Sequence, residues 1–258
     1  MVPSNSEAIQ QTTLVIFAGA ALLIAGAFCL AQAQGSLSGD RIATASGDLV
    51  VHPVNHATMV LGWNNHSIYV DPVGGADRFA GLPRPGLILI TDVHGDHLDA
   101  ATLAAIRGEA AVVAPPAVIQ QLPPELQAKA VKLSNGETTT RLGVTIEAVA
   151  AYNTTADRMK FHARGRGNGY LLALGGKRVY ISGDTEDIPE MRALKNIDVA
   201  FLCMNLPYTM TAEQAASAVR EFRPKIVYPY HSRGTDLERF RTLVGGDAGV
   251  EVRIRNWY

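Results

Sequence analysis

The segment at residues 87–100, LILITDVHGDHLDA, constrains the fold and the site more than any other part of this 258-residue sequence. It opens with a continuous apolar run, typical of a strand buried on both faces, and a short helical pattern follows. Between them, Asp92, His94, Asp96 and His97 lie within six residues. Loops at the ends of buried strands often carry functional sites. A helix N-cap would account for only one of the aspartates. The segment therefore predicts a metal site.

Composition excludes some classes of partner. The chain has 23 basic and 24 acidic residues, a formal net charge of -1, and no long basic run. Nucleic acid is therefore not expected as a partner. The 47% hydrophobic content is sufficient for a sizeable core.

The first 33 residues are predicted to be a secretory signal peptide. Residues 14–30 carry no charge, and Ala31 and Ala33 form an A-x-A cleavage pattern. This predicts a periplasmic or secreted protein in which Cys203 is the only cysteine after cleavage. The segment before the apolar run lacks Lys and Arg, which leaves an alternative: residues 14–30 stay as an inner-membrane anchor, and only then does the protein contact the membrane. Residues 34–47 are small and polar and are predicted to be a linker to a domain at 48–258.

The remainder of the chain predicts two similar halves. Residues 48–72 have the pattern of antiparallel strands, and alternating strands and helices follow. The order recurs from residue 140 onwards, where Thr211 is the predicted N-cap of a helix over 211–222. This organisation predicts an α/β (α+β) fold in which two mixed sheets face each other with helices outside.

The histidines support a metal site. His94, His97, His162 and His231 each lie where a predicted strand gives way to a loop. Imidazole and carboxylate ligands suit zinc, with manganese or iron as alternatives. His56 precedes a strand, and it is either a core histidine or a contributor to substrate binding.

Four segments resemble the metallo-β-lactamase-fold hydrolases. They are D-x-H-x-D-H at 92–97, FHARGRGNGY at 161–170, SGDT at 182–185 and YPYHS at 228–232. The similarity spans roughly residues 48–258 and implies a four-layer αβ/βα sandwich. The segments IYVDP, FHARGRGNGY and NLPYTMTAEQAASAV are most similar to the lactonase-like and N-acyl-phosphatidylethanolamine phospholipase D-like branch.

The resemblance implies two divalent metal ions. The first site would take Asp92, His94 and His162; the second would take Asp96, His97 and His231; Asp184 would bridge them. Asp96 would also be catalytic, as a ligand that accepts a proton during turnover. Metal-bound hydroxide would then be the nucleophile.

Asp92 departs from the family pattern, which usually has histidine at this position. Either Asp92 is itself a ligand, or it only supports a ligand histidine and leaves the first site weak. As a ligand it would bring the total charge of the centre, with two divalent ions, two more aspartates and a hydroxide, to about zero. A harder metal such as manganese or iron would then be favoured.

Other residues are candidates for substrate binding. Arg164 and Arg166 follow His162 and either recognise an anion or form a solvated turn. Tyr208 either donates to a substrate oxygen or packs. Asp71 is predicted to hold backbone or a ligand histidine.

Together these features predict an exported metal-dependent hydrolase. It would cleave an ester, lactone, amide or phosphodiester bond in a small-molecule or lipid-like substrate. The alternative is a non-catalytic metal-binding or scaffold protein on the same fold, with a degraded first site.

Overall fold

The computed structural model describes residues 37–258, and the predicted signal peptide lies outside these residues. Two sheets of seven strands each form the centre of the fold. The first consists of β1 (Asp40–Thr44), β2 (Gly47–Asn55), β3 (Thr58–Trp63), β4 (His66–Val70), β5 (Leu87–Leu89), β6 (Ala111–Ala114) and β7 (Ala130–Lys132). The second consists of β8 (Thr138–Arg141), β9 (Val144–Ala151), β10 (Gly167–Leu174), β11 (Lys177–Ile181), β12 (Val199–Cys203), β13 (Ile226–Tyr230) and β14 (Glu251–Val252).

Helices cover the outer faces of the sheets, as predicted. They are α1 (Ala100–Ile106), α2 (Pro116–Gln121), α3 (Pro124–Gln127), α4 (Pro189–Arg192), α5 (Ala212–Phe222) and α6 (Leu237–Val244), with 3₁₀ turns at Ala76–Phe79 and Gly246–Ala248. Asp99 is the N-cap of α1. Thr211 caps α5 in a capping box with Gln214, which confirms the predicted start of that helix.

The two halves of the chain share one topology. In each sheet the first four strands pair antiparallel in chain order. Each of the last three strands pairs parallel to the strand before it, and most of these parallel connections contain a helix. The carboxyl ends of the parallel strands therefore lie at one edge of each sheet.

The apolar run at the start of the motif is buried on both faces, as predicted. Leu87 and Leu89 lie in the main core, which both sheets contribute to, whereas Ile88 and Ile90 pack in a second cluster with residues of α1 and α2. The alternation follows from the two-residue period of a strand. The loop that carries Asp92 to His97 thus leaves a strand fixed on both sides.

The first strand differs from the prediction of a linker at 34–47. Asp40–Thr44 pairs antiparallel with β2, and Ile42 points into the core. A five-residue strand with one buried apolar side chain has too little periodicity to be distinguished from a polar linker. The sheet therefore begins before residue 48.

Among residues 37–258, no helix has the length and apolarity needed to cross a membrane. Cys203 is buried and free.

Candidate metal centre

Loops from both halves of the chain meet at one edge of the two sheets. The loop after β5 supplies Asp92, His94, Asp96 and His97, while the second half supplies His162 before β10, Asp184 after β11 and His231 after β13. All seven predicted ligands are therefore brought into one centre. They fall into three groups whose ligand atoms lie within 4.8 Å of one another; His231 is shared by two of these groups, and Asp184 links the third through His162.

Asp184 lies at the middle of this centre. Its Oδ2 is 3.2 Å from His162 Nε2 and 3.3 Å from His97 Nε2, and its Oδ1 is 3.5 Å from His231 Nε2. One carboxylate thus faces histidines predicted for both sites. This is the position that a bridging ligand requires.

The first predicted site is formed by Asp92, His94 and His162. Asp92 Oδ2 is 2.7 Å from His94 Nδ1 and 3.9 Å from His162 Nε2. Ligand atoms of a tetrahedral zinc site lie about 3.4 Å apart for metal–ligand distances near 2.05 Å. The 2.7 Å separation is a hydrogen-bond distance, which an ion between the two atoms would lengthen, and the 3.9 Å separation would shorten. The three ligand atoms all lie within 4.8 Å of one another, close enough for one ion to gather them.

Unpartnered polar atoms support the same conclusion. Within the described part of the chain, His97 Nε2, His162 Nε2 and Asp184 Oδ1 are buried and have no hydrogen-bond partner. Buried polar groups are otherwise almost always paired. Three such atoms that converge on one space indicate a site for a cation.

Hydrogen bonds on the far side of two rings leave Nε2 free to bind a metal. His97 Nδ1 lies 2.8 Å from Asp71 Oδ2, and His162 Nδ1 lies 3.1 Å from the carbonyl oxygen of Tyr208. Because these oxygens accept, each Nδ1 donates, and each Nε2 is the nitrogen left to face a metal. The predicted partner of a ligand histidine, Asp71, is thus in place behind His97.

The charges of the centre are strongly coupled. Burial raises the pKa of the Asp184 carboxyl, but the imidazoles of His231 and His97 outweigh this and hold that pKa well below its usual value. Burial lowers the pKa of His97, yet Asp184 and Asp71 together raise it well above the usual value. The side chains are therefore arranged as carboxylates facing positive charge.

His56 also belongs to the centre. Its Nε2 is 3.3 Å from Asp96 Oδ2, and its ring lies 3.8 Å from that of His231. On the other side, His56 Nδ1 is 2.9 Å from the hydroxyl of Tyr258, which accepts from the amide of Ser232 at 2.9 Å. His56 therefore orients Asp96 and is held in turn by the C-terminal tyrosine.

Three residues of the centre adopt a left-handed backbone. His56, Asp71 and His231 have φ values of 52°, 45° and 45°. This backbone conformation is energetically unfavourable for non-glycine residues. It persists where the surrounding structure imposes it, often at functional sites. Each of the three follows the end of a strand.

The predicted substrate-binding residues have separate positions. Arg164 is paired with Glu190 at 2.9 Å and does not line the cleft over the metal centre. Arg166 contacts Asp92 instead of open solvent. Tyr208 lines the cleft, with its ring edge-on to Phe161.

The cleft has a volume of about 910 Å³. Arg78 and Arg233 line it and are exposed, and neither makes a salt bridge within the described residues. Neither arginine is predicted from the sequence: Arg78 lies outside the ligand motifs, and Arg233, although it directly follows the YPYHS segment, has no pattern that marks it as facing the cleft. They are the free guanidinium groups of the cleft that a substrate anion could reach.

Comparisons with known proteins agree with this geometry. The family model described as "Beta-lactamase superfamily domain" matches residues 66–232. A UPF0173 metal-dependent hydrolase of Thermococcus kodakarensis is 30% identical over 77% of this chain and 93% of its own length. One of Pyrococcus abyssi is 33% identical over 64% and 77%, respectively. A crystal structure from Parabacteroides distasonis, described as a metal-dependent hydrolase, has 44% identity and a TM-score of 0.78, with 85% of this chain and 99% of that chain covered.

Proposed function

We propose that this chain, which belongs to the beta-lactamase superfamily and is a metal-dependent hydrolase, uses two divalent ions to cleave an ester, lactone, amide or phosphodiester bond. The convergence of seven Asp and His side chains on one centre, with buried and unpartnered Nε2 and Oδ1 atoms, carries the proposal. The alternative of a non-catalytic scaffold is not favoured, because no predicted ligand is displaced from the centre. Zinc is the proposed metal, with manganese or iron as alternatives.

The residues divide into two ligand sets and a bridge. Asp92, His94 and His162 would hold one ion; Asp96, His97 and His231 would hold the other; Asp184 would contact both. Divalent ions in such a centre lower the pKa of water to near neutrality and polarise the bond under attack.

Asp96 is proposed to move the proton during turnover. Its side chain is 44% exposed, whereas Asp92 and Asp184 are almost fully buried, so of the three it is the carboxylate most accessible from the cleft. His231 and His56 both contact its Oδ2. These contacts fix the direction of the carboxylate towards bound substrate.

The proposed substrate is a small or lipid-like molecule that carries an anionic group. Arg78 and Arg233 would bind that anionic group in the cleft. The sequence predicts anion recognition for Arg164 and Arg166 instead, but Arg164 pairs with Glu190 outside the cleft. The narrower resemblance to the lactonase-like and phospholipase D-like branch stays a prediction.

An assay of the metal-loaded protein tests this function. Zn²⁺- or Mn²⁺-loaded protein should hydrolyse at least one member of a panel of chromogenic esters, lactones, amides and phosphodiesters, and EDTA treatment should abolish turnover. Paired substrates with and without a carboxylate or phosphate test the cleft: Arg78→Gln and Arg233→Gln should raise KM for the anionic member about tenfold and leave the neutral one unchanged. Arg84→Gln, an exposed arginine outside the cleft, is the control. Metal binding without turnover on any substrate would contradict the proposal.

Export is proposed from the sequence of residues 1–33. The periplasm or the medium is the proposed location, and retention at the inner membrane through residues 14–30 is the alternative. Cell fractionation combined with the intact mass of the recovered protein distinguishes cleavage after Ala33 from a retained anchor.

A further inference from the structure

Asp92 forms a buried ion pair with Arg166. Arg166 Nε is 3.2 Å from Asp92 Oδ1, and Nη2 is 3.1 Å from Oδ2, so the guanidinium binds both carboxylate oxygens. The Asp92 side chain is 3% exposed and that of Arg166 is 24% exposed. Nη2 also donates to the carbonyl oxygen of Phe161, which fixes the guanidinium from its other side.

The pair leaves one side of Asp92 Oδ2 turned towards the first site. A carboxylate oxygen has about two acceptor sites, and Oδ2 uses one of them for Arg166. The other faces His94 Nδ1 at 2.7 Å, a hydrogen-bond distance, with His162 Nε2 at 3.9 Å, so an ion held by Asp92 and His94 would take the place of the proton between them. The guanidinium therefore does not exclude an ion from the first site. It also prevents the carboxylate from rotating away.

The backbone reinforces this contact. The amide of Asn168 donates to the carbonyl oxygen of Thr91 at 2.9 Å, which ties the start of β10 to the residue before Asp92. A Cβ atom at Gly167 would lie 3.3 Å from Asp92 Oδ1 and 3.2 Å from the Thr91 oxygen. Because Gly167 has no side chain, the start of β10 can lie close to the Thr91–Asp92 segment.

We propose that Arg166 is a positioning residue that neutralises Asp92, so that the pair acts towards the first metal as a single uncharged ligand, as an imidazole would. This inference rests on the two-metal centre proposed above. Its consequence is a change in the charge balance: with Arg166 counted, two divalent ions, three aspartates and a hydroxide sum to about +1 rather than zero. The centre then keeps a positive charge that acidifies bound water and attracts anions.

Zn²⁺ titration of metal-free, full-length protein tests the pairing. Wild type should bind two equivalents by calorimetry. Asp92→His supplies a neutral ligand beside an unpaired Arg166 cation, and it should weaken the first site about 10- to 100-fold. Asp92→His/Arg166→Gln removes that cation and should restore affinity to within a few-fold of wild type. Arg164→Gln is the matched control, since this neighbouring arginine pairs with Glu190 and should not alter either site.

Two results would overturn the inference: a wild-type stoichiometry of one, or a double variant that binds no better than Asp92→His. If Asp92→His does not fold by circular dichroism, Arg166→Gln alone decides. In the metal-free form this variant takes the guanidinium away from buried Asp92 and leaves His94 facing the carboxylate, whereas bound Zn²⁺ supplies a positive charge in place of the guanidinium. Its melting temperature should therefore fall in the metal-free form and recover with Zn²⁺; an equal deficit in both forms contradicts the pairing.

The proposed function and this inference fail separately. Two bound equivalents without hydrolysis of any substrate would contradict the proposed hydrolysis and leave the inference about Arg166 standing. Hydrolysis by a protein that binds one equivalent would contradict the two-ion centre and the inference, but it would leave metal-dependent hydrolysis standing.

Discussion

Asp71 acts on the metal centre through His97 without facing the cleft. Its Oδ2 contacts His97 Nδ1 at 2.8 Å and accepts from the Thr91 hydroxyl at 2.6 Å, and its Oδ1 accepts from the Thr91 amide at 2.8 Å. Every one of these partners is a donor, so the residue must be a carboxylate or an equivalent double acceptor.

Asp71→Asn should therefore weaken the second metal site. The new amide group presents a donor to His97 or to Thr91, so the imidazole loses its fixed tautomer and orientation. We expect Zn²⁺ affinity at that site to fall about 10- to 100-fold in calorimetric titrations. Asp77→Asn, an exposed aspartate on the nearby 3₁₀ turn, should bind as wild type does. Unchanged affinity in a folded Asp71→Asn protein would contradict this role.

The sequence predicts the metal ligands better than it predicts the residues that hold those ligands in position. Aspartates and histidines clustered at strand ends are visible as a pattern, and all seven converge. The supports depend on contacts between distant positions: Arg166 reaches Asp92 across 74 positions, and Tyr258 reaches His56 across 202. No local spacing encodes such contacts.

The loop that carries His162 is held by one buried carboxylate. Glu186, at the end of the loop after β11, accepts from the amides of Thr154 and Thr155 at 2.7 and 2.6 Å and from Arg158 at 2.6 Å. Its side chain is completely buried. The loop that carries His162 is thus held by Glu186, which lies in the same loop as Asp184.

Glu186→Gln should lower the free energy of unfolding by about 3 kcal/mol, because it leaves Arg158 without its buried partner. Urea unfolding measures this directly. Glu190→Gln is the control, since Glu190 pairs with exposed Arg164 and should cost less than about 1 kcal/mol. Equal losses in the two variants would contradict the argument.

The pH dependence of the Glu186→Gln effect follows from the pKa of Glu186. Burial raises this pKa, but hydrogen bonds from Thr155 and Thr154 lower it from 4.5 to about 2. A lowered pKa stabilises the fold fully above the unfolded value and progressively less as the pH falls towards the folded value. The difference in unfolding free energy between wild type and Glu186→Gln should be constant above pH 4.5 and shrink towards pH 2. A difference independent of pH would show that Glu186 contributes through shape alone.

Among the helices and strands, the sequence predicts those with a continuous apolar run or a clear cap, and it misses those that are very short or mostly polar. Strand-helix alternation is clear where apolar runs are continuous, as in β12 and β13, and α5 has a recognisable cap. β7 and α3 have three and four residues, too few to complete a period of either pattern. β1 has five residues, as β12 and β13 do, but its residues are mostly polar or exposed and only Ile42 is buried, so the pattern does not distinguish it from a linker.

Residues 37–258 form two topologically similar halves, and the metal centre draws ligands from both. The first half supplies the D-x-H-x-D-H loop, and the second supplies His162, Asp184 and His231. The sandwich itself follows from the order of sheets and helices in the sequence. The sequence alone does not show that the metal centre forms only when both sheets are folded. Because the centre depends on both sheets, metal binding and global unfolding are linked.

Zn²⁺ should therefore stabilise the fold against heat. An ion that binds only the folded chain adds about 2.7 kcal/mol at 100 times its Kd, which raises the melting temperature of a domain of this size by about 5–11 °C. Calorimetric scans of EDTA-treated protein with and without Zn²⁺, at equal ionic strength, measure the shift. Asp184→Asn should lose most of it, because Asp184 contacts histidines of both halves, whereas exposed Asp157→Asn should keep it. If bound Zn²⁺ left the melting temperature unchanged, the centre could not couple the two sheets.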